Sequence, residues 1–221
     1  MSHDDVLHIL LLRHGQTDSN AGGMIQGHLP VPLNDLGRKQ ADLLAQRIAD
    51  WRPRVEAIVS SDLARAVQTA EPIAQACGLA DRITFDRAWR ERGLGEMEGK
   101  TVGDREIWRA ATGEITPPGA ESVPQFRGRV VEALRNLPAT QTGWTVVAVV
   151  THGGPIRAIL RALANGELPF DGDRAAAEEA EEIANCSVLH LTWSPSGRTW
   201  QIECLNDVAH LASLATATDA G

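Results

Sequence analysis

The chain has 221 residues, 43% of them hydrophobic and 23% charged, with 29 acidic and 21 basic side chains and a formal net charge of −8. That balance suits a globular protein with one sizeable core. It excludes non-specific binding to nucleic acid or an anionic membrane, which an acidic surface repels, and requires any anionic ligand to meet a local cluster of positive charge.

The first five residues, Met1 to Asp5, are acidic, and the apolar run behind them is too short for a secretion signal or a membrane span. A cytoplasmic location is therefore expected. Three cysteines, Cys77, Cys186 and Cys204, lack metal-like spacing and read as reduced thiols. Val6 to Leu12 is apolar apart from His8, the pattern of a buried strand, and it stops at Arg13-His14-Gly15. The Gly- and Pro-rich stretch AGGMIQGHLPVPLN is a loop. Leu36, Leu43, Leu44, Ile48 and Trp51 then share one helical face, with Asn34 or Asp35 as cap. VEAIVSS predicts a second buried strand, and DLARAVQTAEPIAQACG a helix kinked at Pro72 and stopped at Gly78.

RITFD predicts a third, short strand, and residues 87 to 121, rich in glycine and proline, are the least regular part. Ser122 to Gln125 reads as a capping box opening a helix to about Leu137. WTVVAVVTHGG repeats the opening theme: a strand over Thr145 to Val150 ends at Thr151-His152-Gly153, and a helix follows from about Pro155. AAAEEAEEIA is a charged surface segment, helical or looped. SVLHLTWSPSGRTWQIECLND predicts an antiparallel hairpin at the sheet edge, and fraying is expected from about Thr216.

Strands alternating with helices imply an α/β fold, a mostly parallel sheet covered on both faces, in one domain spanning residues 1–221. Such sheets bind ligands beyond the carboxyl ends of their strands, where both His14 and His152 lie. A glycine after each histidine lets backbone approach a bound group closely. Arg13 stands beside His14, and Arg65 lies one turn into the helix behind the second strand. Guanidinium forks match phosphate oxygens, and helix N-termini near Thr17 to Asn20 and at Gly153 add N–H donors for an anion.

LLRHGQTDSN, SSDLARAVQTA, RERGLGEMEGKT, GAES and THGGPIRAIL resemble, in order, the motifs of the histidine phosphatase superfamily, the phosphoglycerate mutase-like fold. The resemblance spans nearly the whole chain. It implies a three-layer α/β/α domain, its sheet parallel apart from an antiparallel edge strand, and chemistry needing no metal or other cofactor. It further implies that His14 is the nucleophile, that Arg13, Arg65 and His152 surround the phosphoryl oxygens, and that Asn20 and the Gly153 backbone assist. Glu91 is implied as the acid that protonates the leaving oxygen and then the base toward water. Gln26 and Gly27 fall on the implied substrate loop, with His28 beside them. Neighbouring arginines should keep His14 uncharged, and a bound phosphate dianion should favour protonated Glu91. The dianion is expected to be neutralised by Arg13, Arg65 and a charged His152. Glu96, Glu98 and Glu121 compete with Glu91 but read as loop or surface carboxylates. His3, His8, His190 and His210 read as structural or solvated.

Mutases of the superfamily carry an inserted segment with an adjacent arginine pair that grips the substrate carboxylate. Between Gly99 and Gly119 this chain has Arg105 and Arg109, which are separated. LGEMEGKT is closer to the phosphatase branch, with Met97 where an aromatic residue is usual, a change expected at the pocket wall. The RHGQTD and QGHLPVPLNDLG stretches also resemble glucosyl-3-phosphoglycerate phosphatases and broad-specificity acid or sugar phosphatases. The expectation is a phosphomonoesterase acting on a small phosphorylated metabolite, with a homodimer allowed for as its assembly. The alternatives are a cofactor-dependent phosphoglycerate mutase and a non-catalytic phosphate-binding module.

Overall fold

The computed structural model describes residues 6–140, 143–178 and 182–216. In chain order these form β1 (Leu7–Arg13), α1 (Asp18–Ala21), α2 (Asp35–Ala49), β2 (Ala57–Ser60), α3 (Ala64–Cys77), β3 (Ile83–Phe85) and α4 (Val102–Thr112). They continue with α5 (Val123–Thr140), β4 (Val146–Thr151), α6 (Gly153–Ala164), α7 (Arg174–Glu178), β5 (Val188–Ser194), β6 (Thr199–Asp207) and α8 (Ala212–Thr216). The strands make one sheet in the order β3-β2-β4-β1-β5-β6. β1, β2, β3 and β4 are mutually parallel, and β5 runs antiparallel to both β1 and β6.

Alternation along the central strands builds the layers. Ile9, Leu11, Val147 and Val149 face α5 and α6, with Phe126, Leu134, Ile156 and Ile159. Leu10, Leu12, Val146, Ala148 and Val150 face α2 and α3, with Leu44, Ile48, Ala66 and Ile73. A strand buried on both faces reads as continuous apolar sequence, which is why ILLL and VVAVV carry no polar interruption. Each fully buried Leu, Ile or Val of this set contributes about 1.5–3 kcal/mol relative to exposure, so the β1–β4 seam is firmly held.

The register of that seam places the chemistry. Leu12 pairs with Val150 and Arg13 with Thr151, so the two strands leave the sheet at one level, and the His14 amide donates to the Thr151 carbonyl at 3.0 Å. Adjacent strands are about 4.8 Å apart. His14 and His152 are thereby neighbours before any side-chain contact is considered.

Several expectations change in detail. The antiparallel strand β5 lies one place in from the edge, which β6 occupies. Residues 87–121 contain an unforeseen helix, α4, whose capping box pairs Thr101 with Asp104 and which buries none of its residues. Its apolar residues Val102 and Ile107 are exposed, so no core dictates its pattern. Leu36 is exposed, because Gly37 rather than Leu36 meets the rest of the protein at the start of α2. α3 continues through Pro72 as the one helix expected, while α6 starts at Gly153 rather than Pro155. Ser122 and Gln125 form the expected capping box, but α5 runs on to Thr140. Residues 179–181 of the charged segment, His3 with the acidic start, and most of the tail expected to fray lie outside the described residues. Among the described residues no helix is long and apolar enough to cross a membrane.

Candidate active site

Beyond the carboxyl ends of β1, β4 and β2 opens a cavity of about 560 Å³, whose wall includes Arg13, His14, Asn20, Gln26, Gly27, Arg65, Glu91 and Gly153. All but one of the expected site residues therefore line a single space. The exception, His152, is fully buried and stands beside His14, their ring centroids 5.0 Å apart.

The His14 ring is buried, and its Nδ1 lies 2.7 Å from the Gly15 carbonyl. A carbonyl only accepts, so Nδ1 carries the proton and Nε2 keeps a free lone pair. Burial, followed by the charges of Arg65 and Arg13, holds the imidazole well below its ordinary pKa, against the weaker opposing pull of the Gly15 hydrogen bond. The ring is thus uncharged across the neutral range, as its neighbours suggested, though desolvation rather than the arginines is the larger cause.

Arg13 donates from Nη1 to the Ile183 carbonyl. Arg65 donates to the Gly27 and Leu29 carbonyls at 2.9 and 3.2 Å. Each guanidinium is fixed by backbone on one side, while its buried Nε has no partner. Burial lowers both, Arg65 to about 10, so both stay charged near neutrality. Gly27 contributes through its backbone: it sits at φ +47°, and a Cβ there would fall 2.0 Å from Glu98 Oε1, so the turn that hands Arg65 its carbonyl admits only glycine.

His152 corrects an expectation. Burial first, then Arg65, His14, Arg13 and His28, hold it well below its ordinary pKa, so in this site it is neutral rather than cationic. Its Nε2 lies 2.9 Å from Ser61 Oγ, and its buried Nδ1 has no partner. The glycine after His14 also differs in purpose. A Cβ on Gly15 would meet the Gly37 carbonyl oxygen at 2.5 Å, so that glycine admits α2 rather than a bound group.

Glu91 is held at both carboxylate oxygens. The Arg92 amide donates to Oε1 at 2.9 Å and the Gly154 amide to Oε2 at 3.0 Å, while His28 Nε2 donates to the Glu91 carbonyl at 2.8 Å. Gly154 and His28 were not singled out for this. The signal for Gly154 was the doubled glycine of THGG: a Cβ there would lie 1.9 Å from Glu91 Oε1. The competing carboxylates are occupied elsewhere. Glu98 accepts from the His28 and Leu94 amides, and Glu121 accepts two hydrogen bonds from Arg129. Glu96 is exposed and outside the cavity. Met97 is buried away from the cavity, whose wall in that loop is Leu94.

Asn20 closes a capping box with Thr17 at the start of α1, and its Oδ1 also lies 3.4 Å from Asn185 Nδ2. Thr17 Oγ1 donates to Gln26 Oε1 at 3.0 Å, joining the two polar residues of the wall. Asn185, unforeseen, donates to the His14 carbonyl at 2.9 Å. Among the described residues no three His, Cys, Asp or Glu side chains converge as a metal site needs.

A model of the histidine phosphatase superfamily, branch 1, matches residues 9–208. The chain is 37% identical over 216 residues to phosphoglycerate mutase-like protein 4 of Arabidopsis thaliana, covering 94% of this chain and 88% of that one. It is 34% identical to a metal-independent phosphoserine phosphatase of the same plant, over 95% of this chain and 85% of that protein. Among solved structures, a mycobacterial glucosyl-3-phosphoglycerate phosphatase in complex with VO3 superposes with a TM-score of 0.75 at 29% identity, covering 90% of this chain and 99% of the other.

Proposed function

The chain belongs to the histidine phosphatase superfamily, and on that premise we propose that it is a phosphomonoesterase, hydrolysing small phosphorylated metabolites through a phosphohistidine on His14. The observation that carries the reading is the state of His14. It is buried and uncharged, with its proton held on Nδ1 by the Gly15 carbonyl and the Nε2 lone pair beside two guanidiniums that keep an unpartnered Nε.

In the first step the Nε2 lone pair forms a bond to phosphorus as the ester P–O bond breaks. Arg13 and Arg65 take the phosphoryl oxygens, and the partnerless Nδ1 of His152 supplies a further polar contact. Asn20, Gln26 and the first amide of α6 at Gly153 complete the anion cradle. Protonated Glu91 gives its proton to the leaving oxygen. In the second step water attacks phosphorus, Glu91 takes its proton, and the P–N bond breaks to release phosphate and restore His14. Phosphoryl transfer asks little of a protein beyond position and charge, and backbone-anchored groups meet that demand without reorganising.

The test is phosphate release from p-nitrophenyl phosphate and a panel of phosphorylated metabolites. His14→Ala should lose turnover by at least about a thousandfold, and Glu91→Gln should slow alkyl phosphates more than aryl ones. Undiminished release by His14→Ala removes the mechanism. The name of the Arabidopsis relative keeps a mutase as the second reading. Phosphate exchange between positions of phosphoglycerate, without release to water, would replace the phosphatase by that activity.

A further inference from the structure

The cavity is far more basic than cleaving one ester requires. Eight of the chain's 21 basic residues line it, all arginines, against a single carboxylate, Glu91, in a protein of net charge −8. Arg13 and Arg65 serve the cradle, and Arg92 adjoins Glu91. The other five come from three helices: Arg105 and Arg109 from α4, Arg127 from α5, Arg157 and Arg161 from α6. Spacing of four residues puts each pair on one helix face, and both faces line this space.

Partners separate the five. Glu106 lies 3.3 Å from Arg105 and 3.4 Å from Arg109, and Glu167 pairs with Arg127. The Arg157 and Arg161 guanidiniums make no hydrogen bond or ion pair among the described residues. Arg157 adjoins the cradle: a Cβ on Gly153 would lie 3.3 Å from Arg157 Nη1 and 3.6 Å from Arg13 Nε, and the Arg157 charge depresses Arg13. Arg161 stands one turn further along α6 and is exposed. Two uncompensated guanidiniums therefore extend from the reacting centre toward the paired arginines of α4 and α5. Like charges gathered in a cavity repel, and a ligand's charge relieves that cost.

We propose that Arg157 and Arg161 form a second anion subsite, faced by the α4 and α5 arginines, and that the preferred substrates carry a second phosphate besides the ester that is cleaved. The inference rests on the phosphatase reading for its catalytic part. The first phosphate is balanced by Arg13 and Arg65. Arg157 and Arg161 have no carboxylate partner and Arg105 and Arg109 share the single charge of Glu106, an excess of positive charge that a second dianion offsets further than a carboxylate does. Guanidinium forks take phosphate bidentately. A space of about 560 Å³ also exceeds what orthophosphate fills and falls within the roughly 300–1,000 Å³ of pockets for organic ligands.

Glucose 1,6-bisphosphate, glucose 6-phosphate and 6-phosphogluconate share a six-carbon frame and differ in the second anion. The kcat/KM for phosphate release should favour the bisphosphate over glucose 6-phosphate by about tenfold or more, with 6-phosphogluconate between them. In the Arg157→Gln/Arg161→Gln double variant the ratio should fall to within about twofold of unity, an internal comparison that a general loss of activity leaves intact. Equal values in the unaltered protein, or a preference that survives the double substitution, overturns the subsite. A preference for 6-phosphogluconate at least as strong overturns the second phosphate. Calorimetric binding of the same compounds to His14→Ala separates the two claims. Selective binding of the bisphosphate with no turnover by the unaltered protein sinks the phosphatase reading alone, and unselective binding sinks the subsite.

Discussion

At the scale of single residues the site depends on backbone donors whose importance no side chain announces. Glu91 is aimed by the amides of Arg92 and Gly154, and Gly154 is the tighter constraint because its missing Cβ is the space Oε1 occupies. Gly154 lies in the first turn of α6, where alanine is at least as favourable as glycine, so Gly154→Ala should fold. The added carbon must push the carboxylate aside. Turnover of an alkyl phosphate, whose leaving oxygen needs a proton, should fall about 100-fold, while p-nitrophenyl phosphate should lose less than about tenfold. Steady-state kinetics on both substrates checks this. Equal losses would show that Gly154 acts on the phosphoryl cradle instead of on Glu91.

Between elements, the loop carrying His14 is seated by a glycine contact. A Cβ on Gly37 would lie 2.0 Å from the Gln16 carbonyl oxygen, and one on Gly15 would lie 2.5 Å from the Gly37 carbonyl oxygen, so α2 and the β1–α1 loop touch backbone to backbone. Asn34 caps α2 by accepting from the Gly37 amide at 2.8 Å, and its Nδ2 reaches Gln16 Oε1 at 3.0 Å. Gly37→Ala should therefore cost about 1–3 kcal/mol of stability and lower kcat, because backbone on both sides has to separate. Urea denaturation and kinetics measure the two effects. A variant of unchanged midpoint and kcat would mean the contact is loose. The sequence showed the glycines but not which surfaces they bring together, since that depends on the approach of a helix about twenty residues away. Strand ends, by contrast, were plain in ILLLRHG and VVTHGG, because a strand covered on both faces has to be apolar until it leaves the sheet. α4 is the opposite case, an exposed helix whose pattern no core dictates. The charge of His152 is not legible in the sequence, because the extent of burial cannot be read from neighbours in the chain.

Across the molecule, five imidazoles share one electrostatic condition: His8, His14, His152, His190 and His210 are each held below the ordinary value first of all by burial. His14 and His152 are buried at the cavity. His190 stacks on His8, with 2.9 Å between their nitrogens, in the sheet below. Burial is the largest cause of the lowered pKa of His14, His152 and His190, and it brings His190 to about 4. The ordinary value is 6.5, so as pH falls through that point the unfolded chain takes up protons that the folded chain refuses. Stability is then present in full above about 6.5 and declines as pH drops toward about 4, with a slope set by the difference in bound protons. Asp62, lowered chiefly by its hydrogen bond to Arg90, adds its own loss only below its ordinary 3.8, outside that window. Thermal unfolding should show a nearly constant Tm from pH 8 to about pH 7 and a steepening fall below it, with a shallower fall in His190→Asn. His14, the proposed nucleophile, is held well below 6.5 by burial and its two arginine neighbours and should stay unprotonated near that pH. Activity per folded molecule should therefore show no acid limb near 6.5 beyond the substrate's own second ionisation at about 6, and the acid limit of the enzyme itself would be unfolding, not loss of the His14 lone pair. A kcat/KM profile with an ionisation near 6.5 that does not follow the substrate's own second ionisation, about 6 for a phosphate monoester, in protein shown by circular dichroism to remain folded, would contradict the buried neutral imidazole on which the cradle depends.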